Sequence, residues 1–348
     1  MKIGILYELK EGPWGGANQF LKALRNEWQA KGVFADNLAD ADAVLINSHH
    51  ELQDIVRFKY NHPNIPIIHR VDGPVAPIRG INTGVDEIIY DISKRIADAT
   101  IFQSEWSKEC NKKLGMGTGQ FETTILNAPD PKLFYSKNNG THKGDKTKII
   151  LSSWASNTNK GFDIYHWLDE NLDFSRYEVT FVGNAPTPFK NIKQISAVGS
   201  KELGDLLRQH DIYITASKKD PCSNALLEAL HCGLPAIAMR DGGHPEIVGE
   251  GGEMFDTKEE IVNLLERVAG NLVSYQSRIN LPNLNAVAYS YQVLIEGVVL
   301  EVQRGAYKPK TIEWWRSIKM VGYYNSRIVF SIVRRRIINL WKDLNSFS

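Results

Sequence analysis

The sequence predicts two α/β domains, each built on a parallel β-sheet covered by helices, and three observations carry that prediction. Short apolar runs alternate with helical patterns along most of the chain. A single polar, turn-rich stretch interrupts the alternation, which then restarts. The length of 348 residues also exceeds what one hydrophobic core usually holds.

The first strand is read at Lys2-Ile-Gly-Ile-Leu-Tyr7, followed by a helix whose apolar face runs through Phe20, Leu21, Leu24 and Trp28. Strands follow at Ala43–Asn47 and Ile65–His69, then a helix around Ile88 to Ile96 and a strand at Ala99–Gln103. Strands separated by helices require parallel pairing, which gives a Rossmann-like domain. From Tyr135 to Lys146 the chain is polar and rich in turn residues, the composition of an interdomain linker. Strands then resume at Lys148–Ser153, Tyr177–Val182, Ile212–Thr215 and Pro235–Ala238, with helices at about Lys201 to Gln209 and Ala225 to His231. The expected division is a first domain over 1–135, a linker over 136–147, a second domain over 148–290 and a helical, basic C-terminal segment over 291–348. Loops at the carboxyl ends of both sheets would face a shared cleft.

Composition excludes several classes. Hydrophobic residues at 43% and charged residues at 23% describe a folded protein, and no apolar run is long enough to span a bilayer. The apolar start is cut short by Glu8, Lys10 and Glu11, so it reads as a strand rather than a secretory signal, and a cytoplasmic location is expected. Cys110, Cys222 and Cys232 are too few and too scattered for a disulfide framework or a zinc site. The net charge of +1 gives no reason to expect nucleic acid.

The chemistry concentrates in Ser217-Lys-Lys-Asp-Pro-Cys-Ser-Asn-Ala-Leu-Leu-Glu-Ala-Leu-His-Cys-Gly-Leu-Pro. Ser223 or Asn224 can cap a helix whose first amides suit a phosphate or pyrophosphate, and Glu228 farther along can accept hydrogen bonds from two vicinal ribose hydroxyls. The stretch resembles family 4 of the nucleotide-sugar glycosyltransferases, whose signature is a carboxylate, seven residues, a Glu, and then Ala-x-x-x-Gly-x-Pro. Asp220, Glu228, Ala229, Gly233 and Pro235 match it in order, with Asp220 standing where the family usually has Glu. Gly242, Gly243, Pro245 and Glu246 continue the match, the glycines as a tight loop and Pro245 in a first helical turn.

The resemblance covers the chain from Met1 to about Leu300. It implies a two-domain GT-B architecture, with C-terminal helices crossing back to the first domain, and transfer of a sugar from a nucleotide-diphosphate donor with retention of configuration. No metal or other cofactor is implied. Glu228 would hold the donor ribose, Asp220 would lie near a hydroxyl of the transferred sugar, and Ser223, Asn224 and Ala225 would bound the diphosphate. Lys160-Gly161 matches the family's Lys-Gly element, so Lys160 would stabilise the leaving diphosphate. The family's Arg five residues earlier is Ala155 here, and Ser156 and Asn157 can supply hydrogen bonds there but not the charge.

In the first half, Gly15 and Gly16 let the backbone approach donor phosphate or acceptor, with Asn18 beside them. His69, at a strand end, is a candidate for a sugar hydroxyl or the reacting carbon, and Arg70 and Asp72 for the acceptor. Asn127-Ala-Pro-Asp-Pro-Lys-Leu-Phe134 resembles the family's Asn-x-x-Asp-x-x-x-Phe element and supports the fold. The implied partners are a nucleotide-sugar, with a UDP-sugar as first guess, and a glycan or lipid-linked acceptor. Domain closure would assemble the site and exclude water. The alternatives are a sugar-nucleotide-binding protein without transferase activity, suggested by Ala155, and a nucleotide-sugar epimerase of the same fold.

Three motifs are set aside or left open. Asp40-Ala41-Asp42 resembles a metal-chelating Asp-x-Asp but precedes a strand, where capping or solvation accounts for it. His49-His50 lacks a third ligand. The segment from Arg304 to Lys342 carries ten Lys or Arg among aromatics such as Trp314, Trp315, Tyr323 and Tyr324. It suits either an interfacial helix at the inner face of an anionic membrane or a terminal helix packed on the protein itself.

Overall fold

The computed structural model describes residues 1–12, 15–80, 82–136, 145–313, 315, 318–326 and 329. Most of the basic tail, including Trp314 and Arg334 to Trp341, lies outside the described residues, as does most of the expected linker. The chain forms two compact units: Met1–Glu8, Arg25–Ile125 and Tyr289–Ser348 make the first, and Leu9–Leu24 with Leu126–Ala288 make the second.

The first unit holds β1 (Ile3–Leu6), the end of α1 (Gly16–Ala30 overall) from Arg25 on, β2 (Ala43–Asn47), α2 (Leu52–Asn61) and β3 (Ile67–Val71). It continues with α3 (Val75–Arg79), α4 (Val85–Arg95), β4 (Ala99–Phe102), α5 (Glu105–Lys113) and β5 (Phe121–Thr124). Its five strands are parallel and lie in chain order, β1-β2-β3-β4-β5. β2 and β3 are buried along their whole length, which is why both read as unbroken apolar or buried runs rather than alternating ones. Ile46, Ile55, Ile67, Ile88 and Ile92 form a common core into which the C-terminal residues Ile312 and Tyr324 also pack. Tyr324 donates to Asp91 at 3.0 Å, and Tyr307 donates to Asp98 at 3.0 Å. Asp98 also pairs with the fully buried Lys59 at 3.2 Å. Ile312 and Tyr324 of the described tail are thus built into the core of this unit, while Trp315, Ile318, Tyr323 and Val329 are exposed.

The second unit holds β6 (Thr147–Ser153), α6 (Phe162–Asn171), β7 (Tyr177–Gly183), β8 (Lys193–Ile195), α7 (Ser200–Leu207) and β9 (Ile212–Thr215). Then come α8 (Asn224–His231), β10 (Ala236–Met239), α9 (His244–Val248), β11 (Gly252–Phe255), α10 (Glu260–Ala269) and α11 (Leu272–Ser277). A long α12 (Leu284–Gln303) begins in this unit and ends in the other. The parallel order is β11-β10-β9-β6-β7-β8, so the sheet runs one way from β6 through β7 and β8, then returns past β6 to β9. That reversal lies between β6 and β9, and such switch points are where open α/β sheets leave a crevice beyond their carboxyl ends.

Three strands escape the sequence reading: β5, β8 and β11. All three are sheet edges, and their sequences, Phe-Glu-Thr-Thr, Lys-Gln-Ile and Gly-Glu-Met-Phe, are mostly polar or half-exposed. An edge strand has fewer apolar neighbours and carries a weaker signal. No helix among the described residues is long and apolar enough to cross a membrane.

Candidate donor site in the second unit

A cavity of about 150 Å³ opens at the β6/β9 switch point. Its walls are the end of β6 (Ser152, Ser153 and Trp154), the end of β7 at Gly183, the loop at Ala197 and Val198, and the start of α8 at Asn224, Ala225 and Glu228. Gly15 and Gly16, at the start of α1, close another side. The glycine loop expected in the first domain therefore belongs to the second unit, because Leu9–Leu24 clusters with it.

The glycines are required by close approach. A Cβ on Gly16 would lie 1.9 Å from Nδ2 of Asn224, and one on Gly183, where φ is +134°, would lie 2.0 Å from the Ser153 carbonyl oxygen. Asn224 is oriented in turn by Asn127, a fully buried residue that donates to its Oδ1 at 3.1 Å. The Asn127 element, read as a mark of the fold, thus also positions a cavity residue.

Ser223 occupies the N-cap of α8, but its side chain makes no capping hydrogen bond. The first residues of α8, which line the cavity, therefore keep their amides without the usual side-chain acceptor, and the helix dipole adds a partial positive charge. Glu228 lies one turn along. Its carboxyl group has no hydrogen-bond or ion-pair partner among the described residues, and burial pushes its pKa up to about 8. A carboxyl group left unpaired in an apolar wall costs free energy and is retained where a ligand supplies its partners.

Lys160 and Asp220 form an ion pair at 3.2 Å, both half-buried, and neither lines the cavity wall. Their loops are braced against each other. The Lys218 amide donates to the Asn159 carbonyl at 2.7 Å, and a Cβ on Gly161, where φ is +72°, would strike the Ala216 carbonyl at 2.3 Å. Gly242, with φ of +65°, fits against the Asp220 backbone, and the Gly243 amide donates to the Asp220 carbonyl at 2.9 Å. Only the first of the two glycines has positive φ; Pro245 sits in the first turn of α9, as expected. His244 is buried in the same cluster, donating from Nδ1 to the Met239 carbonyl at 2.9 Å and meeting Ser217 Oγ through Nε2 at 3.2 Å. Sequence reasoning passed over His244, since a lone His in a Gly-rich turn gives no pattern. Ser156 is exposed, while Asn157 accepts from the Asn159 amide at 3.0 Å and caps the turn that carries Lys160. Glu246 is exposed on α9.

The predicted residues of the first half behave differently. Asn18 is spent on structure: its side chain accepts from the Lys10 amide at 2.8 Å and donates to the Lys10 carbonyl at 2.9 Å. In the first unit His69 is fully buried. Its Nε2–H donates to the Ser48 carbonyl at 2.9 Å, which fixes the tautomer and leaves Nδ1 to accept from Ser93 Oγ at 2.7 Å. Burial lowers its pKa to about 4, so the ring is neutral and both nitrogens are occupied. This geometry makes His69 an internal strut; the expected contact to a sugar has no free ring atom to make it.

Arg70, also fully buried, donates to Asp72 at 2.9 Å and to Asn47. Asp72 accepts further bonds from Asn47 at 3.4 Å and from Gln103, and the Ser48 hydroxyl accepts from its amide at 3.0 Å. Burial alone would raise the Asp72 pKa, but Arg70, His50 and these hydrogen bonds outweigh it and hold the carboxylate below its ordinary range. The pair His49-His50 stacks at 4.7 Å between ring centroids, and His50 meets Tyr7 edge-on at 5.4 Å. Burial, with His50 beside it, lowers the His49 pKa to about 4.

The class that the fold and this site define is set by comparison. Residues 164–271, which contain α8, Asp220 and Glu228, match the family model described as Glycosyl transferases group 1. The fold is shared with Alr3699/HepE of Anabaena in complex with UDP-glucose, at 13% identity and a TM-score of 0.59, covering 87% of this chain and 98% of that one. Sucrose-phosphate synthase of Thermosynechococcus elongatus aligns at 12% identity and a TM-score of 0.61, over 87% and 98% of the two chains. WaaG, a glycosyltransferase involved in lipopolysaccharide biosynthesis, aligns at 12% identity and a TM-score of 0.61, over 85% and 100%. The comparisons thus give a two-domain, Rossmann-like α/β fold in which residues 164–271 of the second unit resemble the group 1 glycosyl transferases.

Among curated sequences the chain is 24% identical over 169 residues to Uncharacterized protein 356 of Sulfolobus islandicus rod-shaped virus 1, a match covering 44% of this chain and 47% of that protein. The chain therefore spans about half the length of the curated relative it matches.

Proposed function

We propose that this protein is a glycosyltransferase that takes a sugar from a nucleotide-diphosphate donor bound in the cavity of the second unit. One observation carries the reading: at the sheet's switch point, the uncapped start of α8 and the unpaired carboxyl of Glu228, one turn further on, line the same cavity. The helix start suits the diphosphate and Glu228 suits the ribose hydroxyls. Gly15 and Gly16 let the backbone at the start of α1 approach the phosphates from the other side.

Lys160 supplies the point charge that stabilises the departing diphosphate, and Asp220 holds its ammonium until donor binds. Exchange of Asp220 for phosphate as the partner of Lys160 would free that carboxylate for a hydroxyl of the transferred sugar. Ser156 and Asn157 add hydrogen-bonding capacity in the same loop. Two helix starts take over the neutralising part that a divalent cation plays in Asp-x-Asp transferases, so the reaction is proposed to need no metal. Retention of configuration follows the family resemblance, and a UDP-sugar is favoured by the UDP complexes of similarly folded proteins. Asp72, the carboxylate among Tyr7, His50 and Gln103 at the carboxyl ends of the first unit's strands, is proposed to meet a hydroxyl of a glycan or lipid-linked acceptor.

The test is calorimetric titration of the protein with UDP, GDP and ADP in the presence of a chelator. Micromolar binding of one of them, lost in Glu228→Ala and weakened in Lys160→Ala, supports the reading. Absence of binding by all three would remove it. Binding without turnover of the matching sugar donor over a panel of acceptors would favour a sugar-nucleotide-binding protein, a reading motivated by Ala155 in the Lys160 loop.

A further inference from the structure

We propose that Trp154 is the stacking platform for the donor's nucleobase, an inference that rests on the donor-site reading and names the part of the cavity that recognises the base. Trp154 follows directly on β6 at the switch point, lines the cavity, and is 51% exposed, unusual for so large an apolar side chain beside a cavity. Its backbone is clamped. The Asn184 side chain donates to its carbonyl at 2.8 Å, the Asn184 amide donates to the Ser153 carbonyl at 3.0 Å, and Ser153 Oγ donates to the Ala155 carbonyl at 2.7 Å. An exposed ring on a fixed backbone offers area at low entropic cost.

Strand order says which part of the ligand it meets. The ribose and diphosphate positions belong to α8, which follows β9 on one side of β6. The remaining wall lies on the other side, at Val182, Ala197, Val198, Ser200 and Leu203, and apart from Ser200 its side chains are apolar. Trp154 stands between the two, at the position where β6 is paired with the end of β7 through Ser153 and Gly183. A nucleotide with its ribose on Glu228 therefore has only the Trp154 side of the cavity for its base, and a planar heterocycle is what an aromatic face and an apolar wall hold best.

The experiment uses the full chain and whichever of UDP, GDP and ADP binds it most tightly, with inorganic pyrophosphate as a probe lacking both base and ribose. Trp154→Ala should weaken the nucleoside diphosphate by roughly tenfold to a hundredfold. It should leave pyrophosphate binding unchanged, and Trp154→Phe should restore nucleotide binding to within a few-fold. Because the side chain is exposed, the melting temperature of both variants should match wild type. Unchanged nucleotide affinity in Trp154→Ala, with binding still lost in Glu228→Ala, would overturn the stacking role and leave the donor site standing. Weakened binding of UDP-glucose with UDP unaffected would also overturn it, by assigning the ring to the sugar. No nucleotide binding by wild type would sink the donor reading and this inference together.

Discussion

The two sheets differ in one topological respect, and their polar residues differ accordingly. In the first unit the strands lie in chain order, and two polar groups near their carboxyl ends are held by internal partners: His69 by Ser48 and Ser93, and Asp72 by Arg70, Asn47 and Gln103. In the second unit the strand order reverses at β6/β9, and there the fold leaves Glu228 unpaired and the start of α8 uncapped by Ser223. A buried ring such as His69, with both nitrogens bonded internally, is a structural element, whereas a cavity-lining carboxyl group without a partner points to a ligand.

The sharpest way to break this contrast is to mutate one residue of each kind. Glu228→Ala should reduce nucleoside diphosphate affinity by about a hundredfold, the worth of two hydrogen bonds to a charged group, with little loss of thermal stability. Arg70→Met should do the reverse: titration should show unchanged nucleotide affinity, while denaturant unfolding reports a loss of about 3 kcal/mol because Asp72 is left without its cation. If Arg70→Met weakened nucleotide binding as much as Glu228→Ala, the division between structural and ligand-directed residues would fail.

Next in size is Gly16→Ala. Its Cβ would collide with the Asn224 amide at 1.9 Å, so Asn224 must shift, and nucleotide affinity should fall by about tenfold for the displaced contact. Isothermal titration checks this, with Asn127→Ala as a milder companion that removes the hydrogen bond orienting the same side chain.

The smallest effects, and the most diagnostic, are in pH. Glu228 has a folded pKa raised to about 8, so it binds more protons folded than unfolded from its ordinary range up to that value. Stability must then fall as pH rises across this window, and Glu228→Gln should flatten the decline in a melting-temperature series. Nucleotide binding that favours the ionised carboxylate should strengthen over the same rise. Asp72 has a depressed pKa and the opposite sign: its contribution is present above the unfolded value and is lost as pH falls through the folded one, so Asp72→Asn should blunt the acid side of the profile alone.

Much of this was legible in the sequence. The buried strands announced themselves because parallel strands covered on both faces are apolar throughout, and Glu228 could be placed one turn past a helix start by spacing alone. The edge strands could not be read, since β8 has only Ile195 to show for itself. Nor could the fate of His69 and Asn18: a sequence shows a polar residue at a strand end or helix start, but not whether Ser93 or the Lys10 backbone is waiting for it. Trp154 carries no signal in the sequence by itself, because its significance depends on Gly183 and Val198, which line the same cavity.

The placement of Leu9–Leu24 in the second unit has a consequence for how the protein is made. Gly16 is translated early and Asn224 late, with the first unit's β2 to β5 synthesised between them. A contact so remote in sequence carries a loop-closure cost and belongs among the slow steps of folding. On the ribosome, β1 and its neighbours can assemble while residues 9–24 wait without their partner, and the cavity is completed only after α8 has emerged. Donor affinity would then be acquired only after the nascent chain has extended past α8, and a nucleotide in the refolding buffer should slow unfolding rather than speed the first collapse.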